Sequence, residues 1–133
     1  METLRVKVVT PKGSLVDEEA ASFTANSPLG QFCILPNHRP IMTALVTGPM
    51  MTGSSTGEDM AYALDQGFLE AGGDHVNVIT ENCVPADKID AEVLKAELEE
   101  IEKQLKDMDL GTPEAEELLQ KLEWAQVRLD VAK

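Results

Sequence analysis

The sequence predicts an α+β protein: an antiparallel β-sandwich or flattened barrel over residues 1–86, then an α-helical hairpin over residues 87–133. Three observations carry that expectation. From Leu4 to about Ala86, apolar residues come in short runs or strict alternation, punctuated by Gly, Pro and Asn. The turns follow one another too closely for crossover helices, so neighbouring strands must return antiparallel. Beyond Ile89-Asp90 the apolar spacing changes to the 3.5-residue period of a helical seam.

Leu4, Val6 and Val8 alternate with Arg5 and Lys7, the pattern of a half-buried strand, and Pro11-Lys12-Gly13 turns the chain. Further strands are expected at Ser22–Ala25, Phe32–Leu35, Ile41–Val46, Ala61–Leu64, Gly67–Glu70 and Val76–Ile79. Ser27-Pro28-Leu29-Gly30, Pro36-Asn37-His38, the hairpin-like Gly53–Gly57 and Gly72-Gly73-Asp74 supply the turns. In the second half, Leu94, Leu98, Ile101, Leu105 and Met108 form one stripe; Leu118, Leu122, Ala125, Leu129 and Ala132 form another. Gly111 is expected to stop the first helix, Thr112 to cap the second, and Pro113 to occupy its first turn. Glu114 and Glu116 suit the positive end of that helix. Glu99–Lys103, Glu102–Lys106 and Glu117–Lys121 have the order of supporting i,i+4 pairs.

Composition narrows the function. Eleven Lys+Arg against 24 Asp+Glu give a net charge of −13, shared as −6 over residues 1–86 and −7 over the rest. Such a chain disfavours direct binding of nucleic acid or anionic lipid, because phosphate needs cationic neutralisation. Aromatics are only 4%, too few for a base-stacking platform. The uncharged stretches Ala20–His38 and Pro40–Gly57 are broken by Pro and Gly, so neither reads as a membrane span, and no signal-like segment opens the chain. Cys33 and Cys83 suit buried free thiols in a reducing compartment. An acidic, soluble, intracellular protein is expected.

No chemistry stands out. Cys33, His38, His75 and Cys83 lack the paired spacing of a structural zinc site, so no metal is expected; two buried thiols and two loop histidines are the plain alternative. No nucleophile signature surrounds either Cys, and Gly53–Gly57 lacks the Gly-Lys-Ser/Thr ending of a phosphate loop. No catalytic residue and no cofactor are assigned. The unusual segment is Gly30–Pro40, where one Gly, two Pro and a His surround a short apolar run, with Asn37 suited to a left-handed turn. It reads equally as a shaped sandwich corner or as a docking surface.

Three stretches resemble the epsilon subunit of the F-type ATP synthase, called delta in mitochondria. Val8-Val9-Thr10-Pro11-Lys12-Gly13 is similar to the family's first strand and turn. Gly30 through Pro40, with Thr43-Ala44-Leu45 and Gly48, is similar to its Gly-x-x-Gly-Ile-Leu-Pro-x-His-x-Pro-Leu block. Ala63–Glu70 and Val76–Thr80 match its Gly-Phe-Leu-Glu strand and the strand after it. The resemblance spans essentially the whole chain.

That resemblance implies a ten-stranded sandwich that binds the central-stalk gamma subunit and rests on the c ring, at the cytoplasmic face of a bacterial inner membrane. The hairpin would be regulatory, folding onto the sandwich or extending toward the α3β3 hexamer. By motif position it implies gamma contacts at Thr10, His38 and Thr43, and a c-ring contact at Gln31. Cys33 stands at a usual Gly and is expected to be a small buried thiol. Ile89-Asp90-x-x-Val93 aligns with an ATP-binding motif of some members but has Val where they have Arg, which implies weak or absent ATP binding. Inhibitory contacts could come only from Lys103, Lys106, Lys121, Arg128 and Lys133, so inhibition is expected to be weak. The alternative is a free-standing sandwich adaptor that binds a partner through its hairpin.

Overall fold

The computed structural model describes residues 3–54 and 59–132. Ten strands form two five-stranded sheets: β1 (Leu4–Thr10), β2 (Gly13–Ala20), β3 (Ser22–Ser27), β4 (Gly30–Ile34), β5 (His38–Leu45), β6 (Gly48–Gly53), β7 (Met60–Leu64), β8 (Gly67–Gly73), β9 (His75–Thr80) and β10 (Cys83–Pro85). Sheet A runs β2-β1-β9-β8-β5 and sheet B runs β10-β7-β6-β3-β4. Of the expected turns, Gly53–Gly57 lies mostly outside the described residues.

Alternation builds the core. Every second residue of β1 is buried, and Val76, Val78 and Thr80 do the same in β9. From sheet B, Phe23, Ile34, Met50 and Leu64 meet Leu4, Val6, Val8 and Leu69 of sheet A, all essentially without solvent contact. Glu18 lies opposite Val6 on the edge strand β2 and so points inward. Its carboxylate accepts from the Tyr62 hydroxyl at 3.0 Å and from Thr52 Oγ1 at 3.1 Å, tying the two sheets together. Burial, and then the negative Glu18 beside it, pushes the Tyr62 phenol up to about 12.

Several expectations need correction. The sandwich is not wholly antiparallel: β1 and β9 pair in parallel, and only the connection from β2 through β8 brings them together. β2, β6 and β10 carry no clear apolar run, yet each pairs. Cys33 is exposed rather than buried, because Ile34 beside it takes the core position; Cys83 is buried as expected. His38 and His75 open β5 and β9 rather than sitting in loops. Asn37 does take the left-handed conformation, with φ 68°, and its N–H donates to Gly73 O at 2.7 Å.

The hairpin follows a short 3-10 turn, Ala86–Lys88. Asp90 caps α1 (Ala91–Lys106) by accepting from the N–H groups of Glu92 and Val93. Helix α1 stops at Lys106 with Asp107 as C-cap, well before Gly111, and leaves Met108 outside it. Thr112 Oγ1 accepts from Ala115 N at 3.3 Å and caps α2 (Pro113–Ala132), with Pro113 in its first turn. Leu94, Leu98, Ile101 and Leu105 pack on Leu118, Leu122, Ala125 and Leu129. None of the three expected i,i+4 pairs closes to ion-pair distance among the described residues; Lys95–Glu92 does, at 3.9 Å. Helix α2 seats the hairpin on β7 and β6 of sheet B. Ala63 points away from the core between inward Tyr62 and Leu64, yet is wholly buried. A small side chain there lets the helix approach.

Candidate functional site: an uncovered sheet face, a strand tip and a helical hairpin

The hairpin lies on sheet B, and the outer face of sheet A carries an exposed apolar row. Val9 pairs with Ile79, Ile79 with Phe68, and Phe68 with Ala44, so four strands contribute one residue each. Val9, Ile79 and Phe68 are 44%, 66% and 46% exposed. Beside them Leu15 bulges from β2, whose register slips at Val8/Val9. With Pro11 and Gln66 the row borders an open groove of about 500 Å3. Contiguous exposed apolar surface of this kind marks an interaction site more often than a free surface. Gly67 shapes the row's end: a Cβ there would fall on the Ile79 carbonyl oxygen, so only glycine lets β8 and β9 pair this closely. Thr80 Oγ1 holds the same end, within 3.0–3.1 Å of the Gln66 and Asp65 carbonyls.

The next rows of this face are charged. Lys7, Asn77, Glu70 and Met42 lie in cross-strand register. Arg5 Nε donates to Asp17 at 2.7 Å. The Glu70 carboxylate accepts from His75 Nε2 and Asn77 Nδ2, both at 3.0 Å. The bond from His75, then that from Asn77, holds the Glu70 carboxyl below its ordinary range. The face is thus apolar at one end and polar at the other.

Thr10, His38 and Thr43 are not brought together. Thr10 is buried on the inner side, and its hydroxyl donates to Gly13 O and accepts from Lys12 N, fixing the β1–β2 turn. Thr43 lies opposite Leu69, also on the inner side, and its hydroxyl donates to Ala44 O. His38 sits at the far end of β5, opposite Gly73, with Nδ1 2.6 Å from Arg39 O. The outward residues are their neighbours: Val9 beside Thr10, Met42 and Ala44 beside Thr43. The sequence held a signal for them. Val8-Val9, Phe68-Leu69 and Val78-Ile79 are apolar pairs in two-faced strands, and one member of each pair must face outward.

Gln31 lies on β4, the free edge of sheet B, exposed beside a two-residue turn whose Leu29 is fully exposed. Ser27 Oγ donates to Gly30 O and accepts from Leu29 N, so the tip is braced. This edge is separated from the hairpin's seat by β3.

In the hairpin, Ile89, Asp90 and Val93 line a small cavity of about 170 Å3 with Lys88, Glu97 and Arg128. Asp90 is engaged as the cap of α1, and Val93 is exposed. Lys103, Lys106 and Lys121 are exposed on the helices, whereas Arg128 is turned to Glu97 at 3.2 Å. Lys133 lies outside the described residues. Among the described residues no cluster of His, Cys, Asp and Glu is placed to hold a metal, and no helix is long and apolar enough to cross a membrane.

The architecture is a two-sheet sandwich with an exposed apolar row on the outer face of sheet A and a helical hairpin seated on sheet B. The family model for the ATP synthase delta/epsilon chain β-sandwich domain matches residues 3–86, and the chain belongs to that family. It is 36% identical over 131 residues to the ATP synthase epsilon chain of Geobacter sulfurreducens, covering 98% of this chain and 94% of that one. It is 37% identical over 136 residues to the epsilon chain of Geobacter metallireducens, with the same coverage. In fold it matches a chain of the Euglena gracilis mitochondrial ATP synthase OSCP/F1/c-ring assembly, with a TM-score of 0.83 and 22% identity over 99% of this chain and 82% of that one. A chain of the Tetrahymena thermophila mitochondrial ATP synthase central stalk and c ring gives 0.66 at 11% identity, covering 98% and 96%.

Proposed function

We propose that this chain is a non-catalytic rotor subunit of a proton-translocating ATP synthase, transmitting torque between the central stalk and the c ring at the cytoplasmic face of a bacterial membrane. The observation that carries the reading is the exposed row Val9–Ile79–Phe68–Ala44. It is the surface on which the sandwich, residues 1–86, receives the gamma subunit. Thr10 and Thr43 act there through the backbone they brace, and His38 marks the far end of β5. Gln31, with the exposed Leu29 beside it, meets the c ring, and these two surfaces lie on different sheets, so both partners bind at once. The hairpin, residues 87–133, is the regulatory part, with Lys103, Lys106, Lys121 and Arg128 as its cations toward the α3β3 hexamer. Its net charge of −7 keeps inhibition weak. Acidic charge does not hinder membrane association when the membrane is reached through another protein.

Size-exclusion chromatography with light scattering, mixing this chain with the gamma subunit from the same source, tests the reading. A one-to-one complex is expected. No complex at about tens of micromolar would favour the free-standing adaptor instead.

A further inference from the structure

The apolar row on sheet A lies at one end of that sheet. Val9, Ile79 and Ala44 are next to last in β1, β9 and β5, and Phe68 is second in β8. The outer face therefore continues from the row in one direction only. It runs into the row of Lys7, Asn77, Glu70 and Met42, and then to Arg5 and His75. A stable interface covers about 800 Å2 of each partner, far more than four side chains present. A partner seated on Phe68 thus extends over Glu70, about 7 Å farther along β8.

Both oxygens of Glu70 are engaged from β9. Oε1 lies 3.0 Å from His75 Nε2, and Oε2 accepts from Asn77 Nδ2 at 3.0 Å. The other charges around this pair are committed elsewhere or more distant. From β1, Arg5 stands opposite His75 with its Nε on Asp17, and Lys7 stands opposite Asn77, two strands and about 10 Å from Glu70. The edge strand β2 adds Asp17 and Glu19, opposite Lys7 and Arg5. Asp74 precedes His75 in the turn, where its carbonyl accepts from Arg5 N. β5 brings the uncharged Met42 opposite Glu70, with Arg39 and His38 at its far end and the His38 ring at Arg39 O. Among the described residues, His75 is the only side chain able to become a cation that pairs with Glu70.

While the face is open, water solvates Glu70, and a half-exposed pair contributes little whichever protonation state the ring is in. Nε2 faces the carboxylate, so it donates from the neutral ring and from the imidazolium alike. Covering the pair separates those two states. A carboxylate taken out of water with only neutral donors is costly, and a full positive charge on the ring offsets that cost. Imidazole is the side chain that can acquire this charge near neutral pH.

We propose that docking of the gamma subunit on sheet A takes up a proton at His75, so that the complex tightens as pH falls. The inference rests on the docking reading above and adds a regulation to it. By linkage, the state that binds more protons gains as pH falls, with a ceiling of about tenfold in affinity per pH unit for one whole proton. Partial uptake gives about three- to tenfold between about pH 8 and about pH 6.

The test is titration calorimetry of the full chain against the gamma subunit across that range, repeated near neutral pH in two buffers of different ionisation enthalpy to count protons. His75→Gln and Glu70→Gln retain side-chain size and hydrogen bonding at half-exposed positions, and comparison with the unchanged chain cancels the groups that titrate on gamma itself. The unchanged chain is expected to bind about three- to tenfold more tightly at the acid end and to take up more than about 0.3 of a proton. Both variants should bind with affinity flat to within about twofold, whereas Lys7→Gln should keep the full slope. Equal slopes in the unchanged chain and His75→Gln would overturn the proposal, and so would loss of the slope in Lys7→Gln, which would move the counter-charge to that lysine. A gamma complex of pH-independent affinity removes the proton linkage alone. No complex at any pH removes the rotor reading with it.

Discussion

Replacing Phe68 by Ala tests the docking face at its centre. Phe68 lies between Ile79 and Ala44 in the outer row and is 46% exposed. A phenylalanine buries about 200 Å2 when wholly covered, so about 90 Å2 of this ring remains for a partner to cover. At about 25 cal/mol per Å2 that contributes about 2 kcal/mol, or about 30-fold in Kd. Alanine keeps a small part of the contact, so Phe68→Ala should weaken gamma binding by at least about tenfold. The ring is half outside the fold, and the loss of stability should stay under about 1 kcal/mol. Titration calorimetry against the gamma subunit measures the first quantity and urea unfolding the second. Weakening of less than about twofold, with stability unchanged, would refute the argument that this face is the docking surface.

Four further outcomes follow from the geometry. Gly67→Ala forces a Cβ against the Ile79 carbonyl and should cost about 2–3 kcal/mol by urea unfolding, whereas a neutral result would deny the close β8–β9 approach. Cys33 is exposed and Cys83 is buried, with its thiol pushed up to about 11 by desolvation; an alkylating reagent at about pH 8 should label one thiol in the native chain and two after denaturation. Glu70 titrates below its ordinary value of 4.5 because His75 and Asn77 donate to it, so the stability it adds is present above that value and lost as pH falls through the lower folded one. Asn77→Ala should move its NMR midpoint upward, and no movement would contradict the assignment. With Asp90 engaged as a cap and Val93 in place of arginine, calorimetry should find no micromolar affinity for ATP in the isolated chain.

The elements most legible in the sequence are those whose signal is local. Alternation placed β1 and β9, Thr112-Pro113 marked the start of α2, and Asn37 announced its left-handed turn. β2 was hidden because Asp17-Glu18-Glu19 break its pattern, and the inward Glu18 finds partners only on the other sheet. The parallel pairing of β1 with β9 is non-local, and no short-range signal encodes it. Gly111 was misleading because α1 ends at Lys106 with Asp107 as C-cap, and Met108 is not part of the packed seam that holds the helix. Motif position located Gln31 on an exposed edge but gave Thr10 and Thr43, which face inward. The side chains that reach solvent are one member of each apolar pair: Val9, Phe68 and Ile79. Family resemblance transfers position along the chain, whereas the face a residue takes depends on the parity of its strand.

The most direct test of the central claim is hydroxyl-radical footprinting of the chain with and without the gamma subunit. Phe68 and Met42, 46% and 69% exposed, report the outer face of sheet A, and Met51, 41% exposed, reports that of sheet B. The account predicts that Phe68 and Met42 become protected in the complex while Met51 keeps its reactivity. Protection of Met51 with Phe68 unchanged would place the stalk on the other sheet and contradict it.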